Sequence, residues 1–361
     1  MDENAGKPGK GERVLYLDYL RITSVAAMML LHISAQNWEN LELVTPAWML
    51  FNALNGVSRW CVPVFLMISG ALFLNPMRPI KIKRLLLHNV LRILTAFLFW
   101  ACIYSFRDFL NGKPAKEALL SVFYGHYHMW FLFLIVGLYL ISPLLKCIVE
   151  NECVLKYYLL CFCALNFVIP WLLDCLALVR IAHTVDAIMA VRLAFDRLLD
   201  YLPSEGVFYF VLGACLASKE ISKRIRRVLY AIGVIGYIGT VLLTREQSLL
   251  KSCLDLTFLK NSSVNVFAMS VAAFVFGKYG MSKLNPGKRL RSAVTCMSKC
   301  CFGMYLVHAL IIEVLNENFG LNTLTFQPIF STLLIFAITF CGSFMISCLL
   351  NHVPILKKYI V

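Results

Sequence analysis

The sequence predicts an all-α protein, a polytopic transmembrane helix bundle of about ten spans with both termini in the cytoplasm. Of the 361 residues, 60% are apolar and 15% are charged, and the mean hydropathy is +0.74. A soluble protein of this length cannot bury so much apolar surface in one core, whereas lipid covers it. The net charge of +14 does not indicate a nucleic-acid partner, because the basic residues lie between the apolar runs and form no basic stripe.

The apolar runs define the spans. A span needs about 20 mostly apolar residues to cross about 30 Å of hydrocarbon. Runs that meet or approach this length predict spans near 15–36, 57–75, 85–106, 129–149, 154–173, 206–218, 228–243, 263–279, 300–315 and 329–350. We expect the first run to be a retained helix and not a cleaved signal peptide, because Asp18 and Arg21 interrupt it.

The basic residues predict the topology. If residues 1–14 form a cytoplasmic tail and each span reverses the side, 22 of the 34 Lys and Arg lie inside, nine outside and three within spans. This bias follows the positive-inside rule at every inside loop except the sparse one at 146–156. The largest extracytoplasmic loop is then 174–204. We therefore expect residues 1–361 to form one integral-membrane domain in the inner (cytoplasmic) membrane of the cell.

The fourteen cysteines do not indicate a metal centre. Most lie inside apolar runs, where cysteine behaves as a small hydrophobe. Cys296, Cys300 and Cys301 fall on the predicted cytoplasmic side, where thiols usually stay reduced. No pair of Cys-x-x-Cys motifs and no His–Cys cluster with zinc spacing occurs. We expect these residues to serve in packing, and we expect no metal.

Ionisable residues inside a span are costly, so each is a functional candidate. The first span carries Asp18, Arg21 and His32. Arg21 and His32 are eleven residues apart and therefore lie within about 20° on one helix face, with His32 about 16 Å further along the axis. An arginine binds phosphate in a bidentate way, and a histidine can take a proton from a hydroxyl near neutral pH. The alternative is an interfacial Asp18–Arg21 pair and a histidine that only packs.

Other spans carry further candidates. In the second span, Pro63 is expected to break the hydrogen-bond ladder at mid-span, and Ser69 with Gly70 allows close helix approach. Arg59 precedes them and is a candidate binding residue, or it snorkels to the interface. Arg84 lies at the start of the third span.

The later candidates include a deep arginine and several aromatic or imidazole side chains. Arg92 lies two turns inside the third span. His126, His128 and Trp130 lie at an outer boundary, where an aromatic belt is the ordinary explanation. Tyr305 and His308 share one face of the ninth span.

The ordered segments resemble the acyltransferase family 3 membrane proteins. The first helix of that family typically carries Leu-Asp-x-x-Arg and, after ten further residues, His, to which Leu17-Asp18-Tyr19-Leu20-Arg21 and His32 are similar. Further similar blocks follow in order at 59–70, 92–104, 128–143, 210–213 and 302–308. Thr95 and Ala96 depart from the pattern where many members have a proline, and Ala71 replaces a common aromatic residue.

The resemblance implies transfer of an acyl group, usually acetyl from acetyl-CoA or another acyl-CoA, to a hydroxyl of an extracytoplasmic or lipid-linked glycan. His32, Arg21 and Asp18 would then be the catalytic residues. His32 would act as general base or transient acyl carrier, and Asp18 would orient Arg21. The residues expected to bind the substrates are Arg59, Ser69, Arg84, Arg92, Trp130, Tyr305 and His308.

Two other functions fit parts of the same pattern. A transporter or exporter of an anionic or glycan-related solute would also use broken helices and buried charges, although the sequence has no evident internal repeat. The membrane part of a serine or alanine racemase system would need a racemase domain, and we find none in these residues. The expected partners are the lipid bilayer, acyl-CoA and a carbohydrate acceptor, without nucleic acid.

Overall fold

The computed structural model describes residues 14–179, 185–284 and 286–361. Most of the predicted tail 1–14, and residues 180–184 of the predicted loop 174–204, lie outside these ranges. The described residues form helices joined by turns and loops, without a strand. The predicted all-α polytopic bundle is therefore confirmed.

Fourteen helices are used here as labels for the described residues. In chain order, α1 to α14 are Leu15–Ala35, Pro46–Ser58, Cys61–Phe73, Ile82–Leu110, Ala115–Tyr124, Trp130–Glu150, Glu152–Val179, Val185–Leu199, Glu205–Ser218, Lys223–Lys251, Val264–Tyr279, Lys288–Phe319, Pro328–His352 and Pro354–Tyr359. Helices α4 and α7 each contain one π-helical turn, at Leu85–Val90 and Ala164–Val168.

Within the described ranges, eight helical segments are long and apolar enough to cross a membrane. They are Pro46–Phe73, Ile82–Leu110, Ala115–Glu150, Glu152–Val179, Lys223–Lys251, Thr257–Lys283, Lys288–Phe319 and Pro328–His352. The two other predicted spans are also helices. Helix α1 has 21 residues, enough for about 31 Å, but its charged residues lower its hydropathy, and α9 has only 14. The side that each loop occupies stays a prediction.

Helix α1 is polar for a span because protein surrounds it. It contacts α2, α3, α11, α12 and α13. Val25, Met29 and Ile33 are fully buried, and so is Asp18 at 1% exposure. Its ionisable side chains therefore face other helices and an internal cavity, as the cost of placing charge in lipid requires.

The prediction for the second span was wrong in one respect. The segment begins at Pro46, and its helix is interrupted at Arg59 and Trp60, between α2 and α3. The expected break is present, because the interruption lies one turn before Pro63, which has no N–H to donate to the carbonyl oxygen of Arg59. The error is the start of the span, which was predicted near 57. The interruption turns Arg59 toward the interior of the bundle.

The predicted extracytoplasmic loop 174–204 is largely helical. Helix α7 continues to Val179, and α8 covers Val185–Leu199 and packs against it. Arg192 joins the two helices, since its Nε lies 3.1 Å from Oδ1 of Asp174. Acidic and basic side chains of this stretch thus pair between the two helices.

Helices α3 and α9 approach each other at two glycines. A Cβ atom at Gly70 would collide with the backbone of Phe210, and one at Gly213 would collide with the backbone of Met67. This contact explains the Ser69-Gly70 pair, as expected for helix association in membranes, where small residues permit close packing.

We predict that Gly213→Ala destabilises the folded protein by about 1–3 kcal/mol, because the backbone of Met67 cannot yield to the added methyl group. Gly239→Ala is the matched control, since no atom lies within 4 Å of a Cβ at that position in α10. Thermal unfolding in detergent should show a lower midpoint for Gly213→Ala alone. Equal midpoints for both variants would contradict the close α3–α9 contact.

Candidate functional site

One large cavity lies inside the bundle. It has a volume of about 3680 Å³. Nine of the ten residues singled out in the sequence line it: Asp18, Arg21, His32, Arg59, Ser69, Arg84, Arg92, Trp130 and Tyr305. The tenth, His308, lies behind the wall, with its ring centroid 5.1 Å from that of His32. The fold thus brings residues from five separate helical segments to one internal space.

One end of the cavity is strongly basic. This end, called the basic mouth here, is defined by Lys81, Lys83, Arg84, Lys299, Lys357 and Lys358. All six side chains are exposed, and all belong to segments predicted to face the cytoplasm. Of the described residues that line the cavity, two carry carboxylates, Asp18 and Glu220. The mouth therefore attracts anions and can bind phosphate groups.

An ion pair on α1 lies between the basic mouth and the far end. Nη1 of Arg21 is 3.7 Å from Oδ1 of Asp18, and Ser298 donates a hydrogen bond to that same oxygen at 2.6 Å. Asp18 is buried, while the Arg21 side chain keeps 31% of its surface exposed. The carboxylate thus holds one side of the guanidinium, and the rest faces the cavity.

Arg92 and Arg59 have neighbours that limit their freedom. Arg92 lines the cavity, but its Nη2 donates to the carbonyl oxygen of Val361 and its guanidinium lies over the ring of Phe302. Arg59 donates through Nε to Oδ1 of Asn55 at 2.8 Å. Both arginines are therefore oriented before any ligand binds.

Three imidazoles meet at the opposite end of the cavity, called the histidine end here and defined by His32, His128 and His308. The ring centroid of His308 lies 5.1 Å from that of His32 and 5.0 Å from that of His128. No described residue forms a hydrogen bond with the His32 imidazole. His32 is thus a free imidazole at the cavity surface.

Hydrogen bonds fix the protonation of the ring of His308. Its Nδ1 lies 2.6 Å from the carbonyl oxygen of Tyr305, which can only accept, so Nδ1 carries the proton. Nε2 of His308 is buried and has no partner among the described residues. The hydroxyl of Tyr305 donates to the carbonyl oxygen of His128 at 2.6 Å and so ties α12 to the start of α6.

The aromatic-belt interpretation of His126 and His128 was wrong. His128 is 2% exposed and lines the cavity, and His126 stacks on Tyr104 with ring centroids 4.2 Å apart. Trp130, which is 48% exposed, does lie at the surface while it also lines the cavity. A short 3₁₀ turn at Tyr127–Met129 directs His128 inward just before α6 begins.

The sequence patterns did not single out Glu313, which contacts His126 behind the histidine end. Its Oε1 lies 2.9 Å from Nε2 of His126, and its Oε2 accepts a hydrogen bond from Arg107. A signal was present, because Glu313 is an acidic residue inside the predicted span 300–315. Arg107 was assigned to an outside loop, one residue beyond its span.

Three of the fourteen cysteines converge at the other end of α12. The sulfur atoms of Cys296, Cys300 and Cys348 lie within 4.8 Å of one another, an arrangement that could hold a metal ion. The spacing in sequence could not reveal this group, since Cys348 belongs to α13. None of the residues at the histidine end takes part in it.

One comparison with known proteins finds a family to which the chain is similar. The model of one family, described as an acyltransferase domain, matches residues 14–351, which include every helix that lines the cavity except α14. No curated protein and no solved structure matches the chain. Because that family model covers nearly its whole length, the chain belongs to the acyltransferase family 3 membrane proteins.

Proposed function

We propose that this membrane acyltransferase moves an acetyl group from cytosolic acetyl-CoA to a hydroxyl of an extracytoplasmic or lipid-linked glycan. The observation that carries the proposal is the single cavity that joins the exposed basic mouth to the buried histidine end. Two substrates that approach from opposite sides of a membrane need such a connection. Another acyl-CoA in place of acetyl-CoA would use the same site.

The basic mouth suits the donor. Coenzyme A carries several phosphate charges, and exposed lysines and Arg84 surround the opening on the side predicted to be cytoplasmic. Arg21, held by Asp18, lies further inside and offers its free guanidinium face to the donor. The acyl thioester would extend from there toward His32, which is about 16 Å along α1 from Arg21.

The histidine end suits the acceptor and the chemistry. His32 would act as general base and remove the proton of the attacking hydroxyl, whose oxygen forms the new bond to the thioester carbonyl carbon. The carbon–sulfur bond then breaks, and the departing thiolate takes the proton back from the imidazolium. The guanidinium of Arg59 lies on the same cavity and would stabilise the negative charge on the carbonyl oxygen.

A transporter of an anionic or glycan-related solute would also use a basic internal cavity. Membership of an acyltransferase family favours acyl transfer. A transporter would move labelled solute across a vesicle without consuming acetyl-CoA, and this difference separates the two functions.

We predict that His32→Ala lowers kcat for acetyl transfer by about 10²–10⁴-fold, because a positioned general base contributes that much. The measurement uses purified protein in lipid with acetyl-labelled acetyl-CoA, and it follows label in a glycan fraction or hydrolysis of the thioester. His352→Ala is the control, since His352 is exposed and lies outside the cavity. Unchanged turnover by a correctly inserted His32→Ala protein would contradict the proposed mechanism.

We predict that neutralising the basic mouth with Lys81→Gln, Lys83→Gln and Arg84→Gln raises KM for acetyl-CoA by about 10-fold and changes kcat little. The three charges would bind donor phosphates, and each exposed contact is worth about 0.2–1 kcal/mol. Raising the salt concentration should reduce the difference from wild type.

The matched control for the basic mouth replaces Lys223, Arg224 and Arg227 by Gln. These residues begin α10 on the same predicted side, outside the cavity, and the change in net charge is identical. An equal rise in KM in both triple variants would mean that general charge, and not the mouth, attracts the donor.

A further inference from the structure

A chain of hydrogen bonds runs from Arg107 through Glu313 and His126 to His128. Arg107 donates to Oε2 of Glu313, whose Oε1 lies 2.9 Å from Nε2 of His126. Nδ1 of His126 lies 2.9 Å from Nδ1 of His128. At the end of this chain, Nε2 of His128 is buried and has no partner among the described residues. The chain thus links the α4–α12 ion pairs to a side chain that lines the cavity.

The donor and acceptor capacities of the groups give the direction of this hydrogen-bond chain when both imidazoles are neutral. The Glu313 carboxylate can only accept, so Nε2 of His126 carries a proton. With His126 neutral, its Nδ1 holds a lone pair, and Nδ1 of His128 must be the donor across the 2.9 Å contact. His128 therefore presents an unprotonated Nε2 as a hydrogen-bond acceptor.

The surrounding contacts hold these rings in place. The ring of Tyr104 stacks on His126 with an interplanar angle of 13°. The Tyr104 hydroxyl donates to the carbonyl oxygen of Leu306 and accepts from the backbone N–H of Leu310. A 180° flip of the His126 ring would place carbon atoms where Nδ1 and Nε2 now lie, so its contacts with His128 and Glu313 would both be lost.

We propose that Glu313 and His126 are positioning residues that fix the tautomer of His128, and that His128 accepts a hydrogen bond from a hydroxyl of the acceptor next to His32. This inference rests on the proposed function for the nature of the ligand. It adds a structural requirement to that function: an acceptor with a second hydroxyl close to the reacting one. His128 lines the cavity with an unprotonated Nε2 that has no partner among the described residues, which suits a ligand with hydroxyl donors, as a carbohydrate is.

Glu313→Gln tests the chain, because the amide has one accepting oxygen in place of two. Arg107 can only donate, so it forms its hydrogen bond with that oxygen and the amide NH₂ faces His126. His126 must then accept at Nε2 and carry its proton on Nδ1. That proton is donated to Nδ1 of His128, and the proton of His128 moves to Nε2. A substitution one step removed from the cavity would thus invert both imidazoles.

Glu317→Gln is the matched control. Glu317 also pairs with Arg107, at 2.5 Å, but it does not contact His126. It removes the same charge from the same arginine and leaves the donor and acceptor pattern of the chain intact.

The first measurement is solid-state ¹⁵N NMR of histidine-labelled protein in lipid, which separates protonated from unprotonated ring nitrogens. The protein has seven histidines, so difference spectra of His126→Ala and His128→Ala are needed to assign the signals. We expect protons on Nε2 of His126 and Nδ1 of His128 in wild type and in Glu317→Gln, and the inverted pattern in Glu313→Gln. Three results would refute the proposed direction of the hydrogen-bond chain: a proton on Nε2 of His128 in wild type, a doubly protonated His126, or no inversion in Glu313→Gln.

The second measurement is kinetic. In Glu313→Gln, kcat/KM for the acceptor should fall by about 10-fold or more while KM for acetyl-CoA stays unchanged, because a donor on His128 then opposes a donor on the acceptor. Glu313→Asp keeps two accepting oxygens and should recover part of the loss, whereas Glu317→Gln should retain wild-type kinetics. Inversion of His128 without any fall in acceptor kcat/KM would overturn its contact with the acceptor. A wild-type protein that consumes no acetyl-CoA would instead refute the proposed function, and the NMR result would stand.

Discussion

The high cost of placing an ionisable side chain in hydrocarbon is the constraint on which this structure depends. Each Asp or Arg at the centre of a span costs about 3 kcal/mol on insertion scales, so such residues persist only where protein or a cavity receives them. Helix α1 carries Asp18, Arg21 and His32 and lies among five other helices, not against lipid. The close contact of α3 with α9 at Gly70 and Gly213 stabilises the same wall of the bundle. The cavity gives these ionisable side chains one common space inside the bundle, away from lipid.

The helices could be predicted from the sequence because a membrane span must be long and apolar. All ten predicted positions coincide with helices, although α1 and α9 fall short of the hydropathy or length of an ordinary span. The errors occurred where local patterns have two solutions. Residues 46–58 fit a loop or a helix, since Asn52 and Asn55 interrupt their apolar run, and the burial of both side chains makes these residues part of the second span. The charged stretch 174–204 fits a loop or a pair of helices joined by Arg192.

The site could be predicted where its residues share one helix. The eleven-residue separation of Arg21 and His32 places them on one face, and both line the cavity. The sequence contains no comparable signal for partners on different helices. His128 lies at the edge of a span, where an aromatic belt explains it equally well, and its role depends on the 3₁₀ turn that directs it inward. The ion pair of Arg107 with Glu313 can be recognised only once α4 and α12 are known to lie side by side. In the same way, Cys348 can be grouped with Cys296 and Cys300 only in the folded structure.

The two ends of the cavity divide the chemistry according to what each environment can stabilise. The basic mouth is exposed, so its lysines stay hydrated and would bind anions through charge that salt can screen. The histidine end is buried. There the direction of each hydrogen bond matters more than charge, because a donor or acceptor without a protein partner has no water to bind instead. A carboxylate placed directly on that surface would bring a full negative charge to the proposed reaction, which would itself develop one on the carbonyl oxygen. Glu313 instead lies behind His126, where Arg107 neutralises it, and only its hydrogen-bond polarity reaches the cavity through His128.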